Sequence, residues 1–147
     1  MEIRKMLVED IEEVVQLDKA CFLSPYDEKQ FQYELLENPF SYLYVAIEDE
    51  KIVGLIDFWI TFDIGQINQI AVLSNYRRKG IASQLLETAF KVMYENRVVN
   101  VTLEVRYHNS GAIKFYQKYG FVRTLVKKGY YDNGDDADYM ERGMLDV

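Results

Sequence analysis

The stretch Gln66–Glu95, QINQIAVLSNYRRKGIASQLLETAFKVMYE, commits the chain to a strand that hands over directly to a long helix. Ile67, Ile70, Ala71 and Val72 supply strand-like apolar residues, and Ser74-Asn75 mark a turn. From Ile81 the apolar residues recur at Leu85, Leu86, Ala89 and Met93, which is helical spacing. Arg77, Arg78, Lys79 and Gly80 fall where strand meets helix. The first N–H groups of a helix lack intrahelical partners and its dipole adds partial positive charge, so this joint suits an anionic group such as a pyrophosphate. A glycine there lets a ligand approach the backbone closely. Neither G-x-x-x-x-G-K-[ST] nor G-x-G-x-x-G is present, and on these grounds alone a solvated basic turn stands beside the anion site as an alternative.

At 147 residues, with 49% hydrophobic and 28% charged residues, the chain is expected to form one domain, 1–147, around a proper core. No apolar run approaches the ~20 residues that cross a bilayer, and the start, MEIRKMLVEDIEE, lacks a signal-peptide core. The single cysteine, Cys21, excludes an internal disulfide, fits a reducing cytoplasm and is placed in the core. A net charge of −7 argues against general nucleic-acid binding, makes the Arg77-Arg78-Lys79 cluster stand out, and favours a cationic substrate elsewhere on the surface.

Along the chain, Glu2–Met6 reads as a short strand and Glu9–Phe22 as a helix with Ile11, Val14, Val15, Asp18, Cys21 and Phe22 on its inner side. Ser24-Pro25 breaks it, and Asp27 caps a second helix with Gln30 at the reciprocal position, stopped by Asn38-Pro39. The connection between them carries Leu23, Pro25 and Tyr26 and is suited to line a cleft. Ser41–Ile47, Lys51–Thr61 and Gly65–Val72 follow as strands whose short links imply antiparallel pairing. After the helix from Gly80 to Glu95 come a strand, Asn100–Arg106, and a helix capped by Asn109 or Ser110 and closed by Gly120. A strand pair, Phe121–Lys128 and Asp138–Leu145, flanks the tyrosine-bearing stretch Gly129–Asp136. The order is β-α-α-β-β-β-α-β-α-β-β, an α+β arrangement. Its unit around residues 66–106 should be a right-handed parallel crossover within an otherwise antiparallel sheet.

In the strand Asn100–Arg106, Glu104 is a carboxylate flanked by Leu103 and Val105; half of an ion pair with Arg106 or a nearby lysine is its plainest reading. Tyr116 lies seven residues after Asn109, so both can share a helix face, although such a tyrosine is more often packed in the core and such an asparagine more often simply a cap. Tyr130 and Tyr131 are either cleft residues or packed hairpin aromatics. The lone His108, with no cysteine or carboxylate at triad or metal-ligand spacing, reads as a surface turn residue.

Three separated motifs carry a family resemblance. Arg77-x-x-Gly80-x-Ala82 after a strand resembles the acyl-coenzyme A pyrophosphate loop, [QR]-x-x-G-x-[GA], of the GNAT N-acetyltransferases. Leu103–Phe121, LEVRYHNSGAIKFYQKYGF, is similar to the pattern L-E-V-R-x-x-N-x-x-A-I-x-[LF]-Y-x-x-x-G-F of the protein N-terminal acetyltransferases within it, whose bacterial RimI branch acetylates a ribosomal-protein alanine. Lys128–Ala137 followed by Met140 resembles that group's K-x-Y-Y-x-x-G-E-D-A-x-x-M. Asp135 stands where the group usually has Glu, Gly129 where a larger polar residue is common, and Ser24-Pro25-Tyr26-Asp27 where a Pro-Trp-Ser arrangement is frequent.

The resemblance implies the GNAT fold, a mixed and mostly antiparallel sheet flanked by helices, and a cytoplasmic monomer or weak dimer. It implies acetyl-coenzyme A as cosubstrate, no metal, no nucleic acid or membrane partner, and a protein N-terminus, a ribosomal protein's foremost, as acceptor. Backbone amides of Arg78, Lys79, Gly80, Ile81, Ala82 and Ser83 would hold the pyrophosphate, with Arg77 and its neighbours adding charge. Main-chain groups of Ile70, Ala71 and Val72 would pair with the pantetheine arm, which Asn109 would also contact. Glu104 becomes the base, Tyr116 the proton donor to the thiolate, and Tyr130 and Tyr131 the peptide contacts. Lysine or a small amine as acceptor, and a silent acyl-coenzyme A-binding module, are the alternatives.

Overall fold

From Ile52 to Ile60 the strand β3 (Lys51–Thr61) is apolar at every position but Gly54 and Asp57, because both of its faces are covered. In this computed structural model, which describes residues 1–144, β3 lies within a seven-stranded sheet. The other strands are β1 (Glu2–Lys5), β2 (Ser41–Glu48), β4 (Ile64–Val72), β5 (Asn100–Arg106), β6 (Val122–Lys127) and β7 (Ala137–Gly143), in the spatial order β1-β2-β3-β4-β5-β7-β6. The helices are α1 (Ile11–Cys21), α2 (Glu28–Leu36), α3 (Ile81–Glu95) and α4 (Ser110–Lys118). The expected element order is met, and among the described residues β4–β5 is the one parallel pair. Of the expected last strand, Leu145 lies outside the described residues.

Strand alternation sorts side chains into two layers. Val45, Leu55 and Ala71 stand in register across β2, β3 and β4 and belong to the core under α1 and α2, with Val14, Leu17 and Phe31. The next residues along, Ala46, Ile56 and Val72, belong to the opposite core, which packs against Ile81, Leu85, Leu86, Ala89 and Met93 of α3. Phe90 of α3 meets Tyr119 just beyond α4, with ring centroids 6.3 Å apart, so α4 joins this second layer.

Local signals set the helix starts. Asp27 Oδ1 accepts from Gln30 N at 2.8 Å while Gln30 Oε1 accepts from Asp27 N at 2.9 Å, the reciprocal box expected for α2. Asn109 Oδ1 accepts from Ala112 N at 3.2 Å and so is the cap of α4. At the chain start, Asp10 receives Arg4 Nη1 and the Leu7 amide, both at 2.7 Å; the Arg4 hydrogen bond, outweighing burial, holds its carboxyl below the usual range.

Close approach of α3 to the sheet depends on Gly54. A Cβ there would lie 3.1 Å from Leu85 Cδ1 and 3.2 Å from both Ile81 Cγ2 and the Ala71 carbonyl. Those contacts are tight against a packed core, so Gly54 sets how deeply the first two turns of α3 settle. Gly54→Val should lower stability by about 1–3 kcal/mol, with Gly54→Ala costing less. Urea unfolding measures both, and an unchanged midpoint in Gly54→Val would mean that α3 shifts without penalty.

Candidate active site

The parallel pairing of β4 with β5 runs only from Ile64↔Asn100 to Ile67↔Leu103. At that point β4 also carries a bulge against β3: Asp57 faces Gln69 and Phe58 faces Ile67, so Asn68 is the extra residue. A bulge bends and twists its strand. Beyond it β4 keeps β3 but leaves β5, and a cleft of about 350 Å³ opens between them.

Five segments line that cleft. Gln66, Asn68, Gln69 and Ile70 come from β4, and Glu104 and Arg106 from β5. Asn109, Ala112 and Tyr116 come from the start and inner face of α4, and Tyr130 and Tyr131 from the β6–β7 connection. Phe22, Leu23, Ser24 and Tyr26 of the α1–α2 connection close the remaining side, as the sequence suggested for Leu23 and Tyr26. The structure thus brings together Glu104, Tyr116, Asn109, Ile70, Tyr130 and Tyr131, drawn from positions up to 61 residues apart.

Glu104 does have a lysine partner, Lys127, whose Nζ lies 3.1 Å from Oε1. The same ammonium sits 5.3 Å from the Tyr130 ring centroid and 4.6 Å from that of Tyr139. Burial raises the Tyr130 phenol, and the neighbouring Glu104 carboxylate raises it further. Burial also drives the Tyr116 phenol well above its ordinary value and pushes Tyr131 up to about 12, so all these hydroxyls keep their protons at neutral pH.

The Arg77–Ser83 turn lies outside the residues lining the cleft, at the start of α3. The first intrahelical bond there is Gln84 N to Gly80 O, 3.0 Å, which leaves the amides of Ile81, Ala82 and Ser83 without helical acceptors. Gly80 has φ +81° with open space where a Cβ would stand, so its place in the free fold is explained by backbone conformation. Arg78 also has positive φ, +63°. Arg77 is not simply a free charge: its Nε donates to the Val72 carbonyl at 2.9 Å, tying the turn to the end of β4. Cys21, half-buried, brings Sγ to the same carbonyl at 3.5 Å. The side chains of Ala71 and Val72 are buried.

The reading of His108 as a surface turn residue holds. His108 is in a turn and half exposed, but it has a carboxylate partner, with Nε2 3.1 Å from Asp135 Oδ2. Chain spacing hides this because the pair is made across the β5–β7 register, 27 residues apart.

A group of acids behind the cleft wall was not singled out by the sequence. Asp18 on α1, Glu34 on α2 and Asp57 on β3 are all buried. Asp18 Oδ2 accepts from the Tyr26 amide at 2.8 Å and Gln69 Nε2 at 3.1 Å, tying the α1–α2 connection to β4. Glu34 is met by Trp59 Nε1 at 2.6 Å, Asn38 Nδ2 at 2.9 Å and Ser41 Oγ at 3.1 Å. Neither oxygen of Asp57 has a hydrogen-bond donor among the described residues, and burial followed by the nearby Glu34 carboxylate keeps its acid form well above the usual range. An aspartate inside the run VGLIDFWI was the available signal. Among the described residues no group of His, Cys, Asp and Glu is arranged to hold a metal ion, and no helix is long and apolar enough to cross a membrane.

The model of the acetyltransferase (GNAT) family matches residues 11–121, and the chain belongs to that family: it is an N-acetyltransferase with the GNAT fold. It is 35% identical over 136 residues, 92% of this chain and 90% of the relative, to a Bacillus subtilis protein provisionally named a ribosomal protein bS18-alanine N-acetyltransferase. The crystal structure of the ribosomal-protein-S18-alanine N-acetyltransferase from Escherichia coli shares the fold at TM-score 0.88 and 23% identity, over 97% of this chain and 93% of that one. A chain of the NatC complex bound to Gag peptide and CoA matches at TM-score 0.82 and 27% identity, over 97% and 99%.

The raised pKa of Asp57 makes a stability prediction. Its folded form holds a proton that the unfolded chain, near 3.8, has released. Its contribution is therefore fully present below that value and is lost as pH rises through the folded pKa. Asp57→Asn should flatten this fall, so the variant gains on the wild type as pH rises from about 4 to about 8 in urea unfolding. Asp18, also raised by burial, titrates in both proteins. Parallel stability curves would mean that Asp57 is ionised in the fold throughout.

Proposed function

We propose that this enzyme transfers acetyl from acetyl-coenzyme A to the free α-amine at a protein N-terminus, with a ribosomal protein as its target. The observation that carries this reading is the unpaired β4 edge beyond Ile67, facing Glu104 and Tyr116 across one cleft whose outer wall is the tyrosine pair. An open strand edge accepts an extended amide-bearing arm as an added strand would be accepted. Ile70, Ala71 and Val72 supply it for the pantetheine arm, with the Val72 carbonyl already committed to Arg77. The free amides at the start of α3, within Arg78, Lys79, Gly80, Ile81, Ala82 and Ser83, take the pyrophosphate. Asn109 spends Oδ1 on its cap and keeps Nδ2 for the arm. The resemblance to enzymes named for a ribosomal-protein alanine supports the target.

In the reaction the amine nitrogen bonds to the thioester carbonyl carbon, the C–S bond breaks, and the amine loses a proton while the thiolate gains one. Glu104 takes the first proton through a water; Lys127 engages only Oε1. Tyr116, whose phenol holds its proton, donates to the departing sulfur. A weak base suffices because an α-amine has a pKa of ~7.7–8.0 against ~10.4 for lysine. That gap of about 2.5 units is roughly 3.4 kcal/mol of deprotonation the α-amine does not require.

Tyr116→Phe should lower kcat on the order of a hundredfold or more with little change in coenzyme affinity. Equal kcat would remove Tyr116 from the mechanism. Glu104→Gln should lose most rate at low pH, where the amine is protonated; a uniform loss across pH would assign Glu104 to positioning. Mass spectrometry of lysine-containing peptides beginning with Ala, Ser, Met or Gly tests the substrate class. Acetylation is expected to vanish when the N-terminus is blocked, whereas modification that survives blocking would point to lysine.

A further inference from the structure

The connection between β6 and β7 contributes Tyr130 and Tyr131 to the cleft, although most of residues 128–136 are exposed and form only turns. Exposed turns hold a side chain in place only where something ties them down. The base of this connection is tied by Asp136, which receives the Gly129 amide at 2.9 Å and Lys128 Nζ at 3.2 Å, and whose carbonyl accepts from Tyr107 N at 3.1 Å.

Its tip is tied differently, by the last residue of β5. Arg106 Nη1 donates to Asp135 Oδ2 at 2.9 Å and to Asn133 Oδ1 at 3.0 Å, while its guanidinium carbon lies 3.9 Å from the Tyr131 ring centroid. Within the turn, Gly134 N donates to Tyr131 O at 2.8 Å and Tyr131 N to Asp135 O at 3.2 Å. One guanidinium therefore grips the turn on both sides, by its edge to the carboxylate and by its face to the ring. A planar fork does both at once, and an ammonium does not. The pair is also shielded: the Arg106 and Asp135 side chains are 14% and 24% exposed, and His108 Nε2 covers the same Asp135 oxygen from the third side. Arg106 shares its strand face with Glu104, two residues earlier, so one strand locates both the proposed base and the proposed peptide contact.

We propose that Arg106 and Asp135 are positioning residues that hold Tyr131 against the peptide side of the cleft, making acceptor affinity depend on an ion pair outside the reacting atoms. This rests on the reading of Tyr131 as a peptide contact given above. It separates the two substrates: the latch acts on the acceptor and not on the coenzyme, whose proposed contacts lie on β4, at the start of α3 and at the Asn109 cap of α4.

The test compares Asp135→Asn, Arg106→Lys and Asp135→Glu with the wild type, by steady-state kinetics and by hydrogen exchange of amides 129–135. Asp135→Asn and Arg106→Lys should raise KM for an N-terminal peptide roughly tenfold, the scale of a shielded ion pair with a stacked ring. KM for acetyl-coenzyme A and kcat at saturating peptide should stay within about twofold, and exchange at the tip should quicken while β6 and β7 keep their protection. Asp135→Glu, which restores the charge, should return KM and exchange towards wild type. Unchanged exchange, a rise in both KM values together, or a fall in kcat alone would overturn the proposal. If the wild type acetylates no peptide N-terminus, the functional reading fails separately, and unchanged exchange would still refute the latch while faster exchange would confine its role to the loop.

Discussion

The cleft of this molecule depends on where a parallel strand pair stops. A parallel ladder four residues long between β4 and β5 holds the sheet together at one end; the bulge at Asn68 then turns β4 away. The antiparallel pairing of β4 with β3 and of β5 with β7 continues past that point, so the sheet divides without falling apart. The gap exposes one backbone edge and brings a carboxylate, a phenol and an amide cap to its rim. A site made this way sits on rigid strands and on a helix start, with loops serving only the outer wall.

The second requirement is the seating of α3. Gly54 on β3 admits Ile81 and Leu85, and Arg77 ties the preceding turn to the Val72 carbonyl. Packing beneath the sheet and a hydrogen bond at the strand end therefore locate the free amides relative to the open edge. The acids Asp18 and Glu34 act in the same way on the opposite face, fastening the α1–α2 connection and α2 to β4 and to Trp59. The α1–α2 wall of the cleft is thus anchored to β4, one of the two strands that diverge.

Most of the fold was legible in the sequence because its signals are local. The Asp27–Gln30 box, the Asn109 cap, the apolar spacing of α3 and the near-unbroken apolar run of β3 each sit within a few residues. The cleft residues Glu104, Asn109 and Tyr116 were legible through motif order, and a lysine beside Glu104 was among the readings, whereas the particular partners were not. Lys127 beside Glu104, Asp135 beside His108 and Gln69 beside Asp18 are made by strand register and by helix-on-sheet packing, which no short window contains. Asp57 shows the limit most clearly: it was not singled out although it lies within an apolar strand, and its meeting with Glu34 needed α2 to be laid across β3. The glycine of the cation turn was read for close ligand approach, and the structure gives the prior reason, a left-handed φ.

Trp59 is the only tryptophan in the chain, and its indole N–H ends on Glu34, the carboxylate that neighbours Asp57. An indole's emission responds to the charge and polarity at its nitrogen. The protein therefore carries a single indole, excitable apart from its twelve tyrosines and wired to the acids behind its cleft. Protonation in that buried group, or a shift of α2 against β3, becomes visible as light from an unlabelled protein.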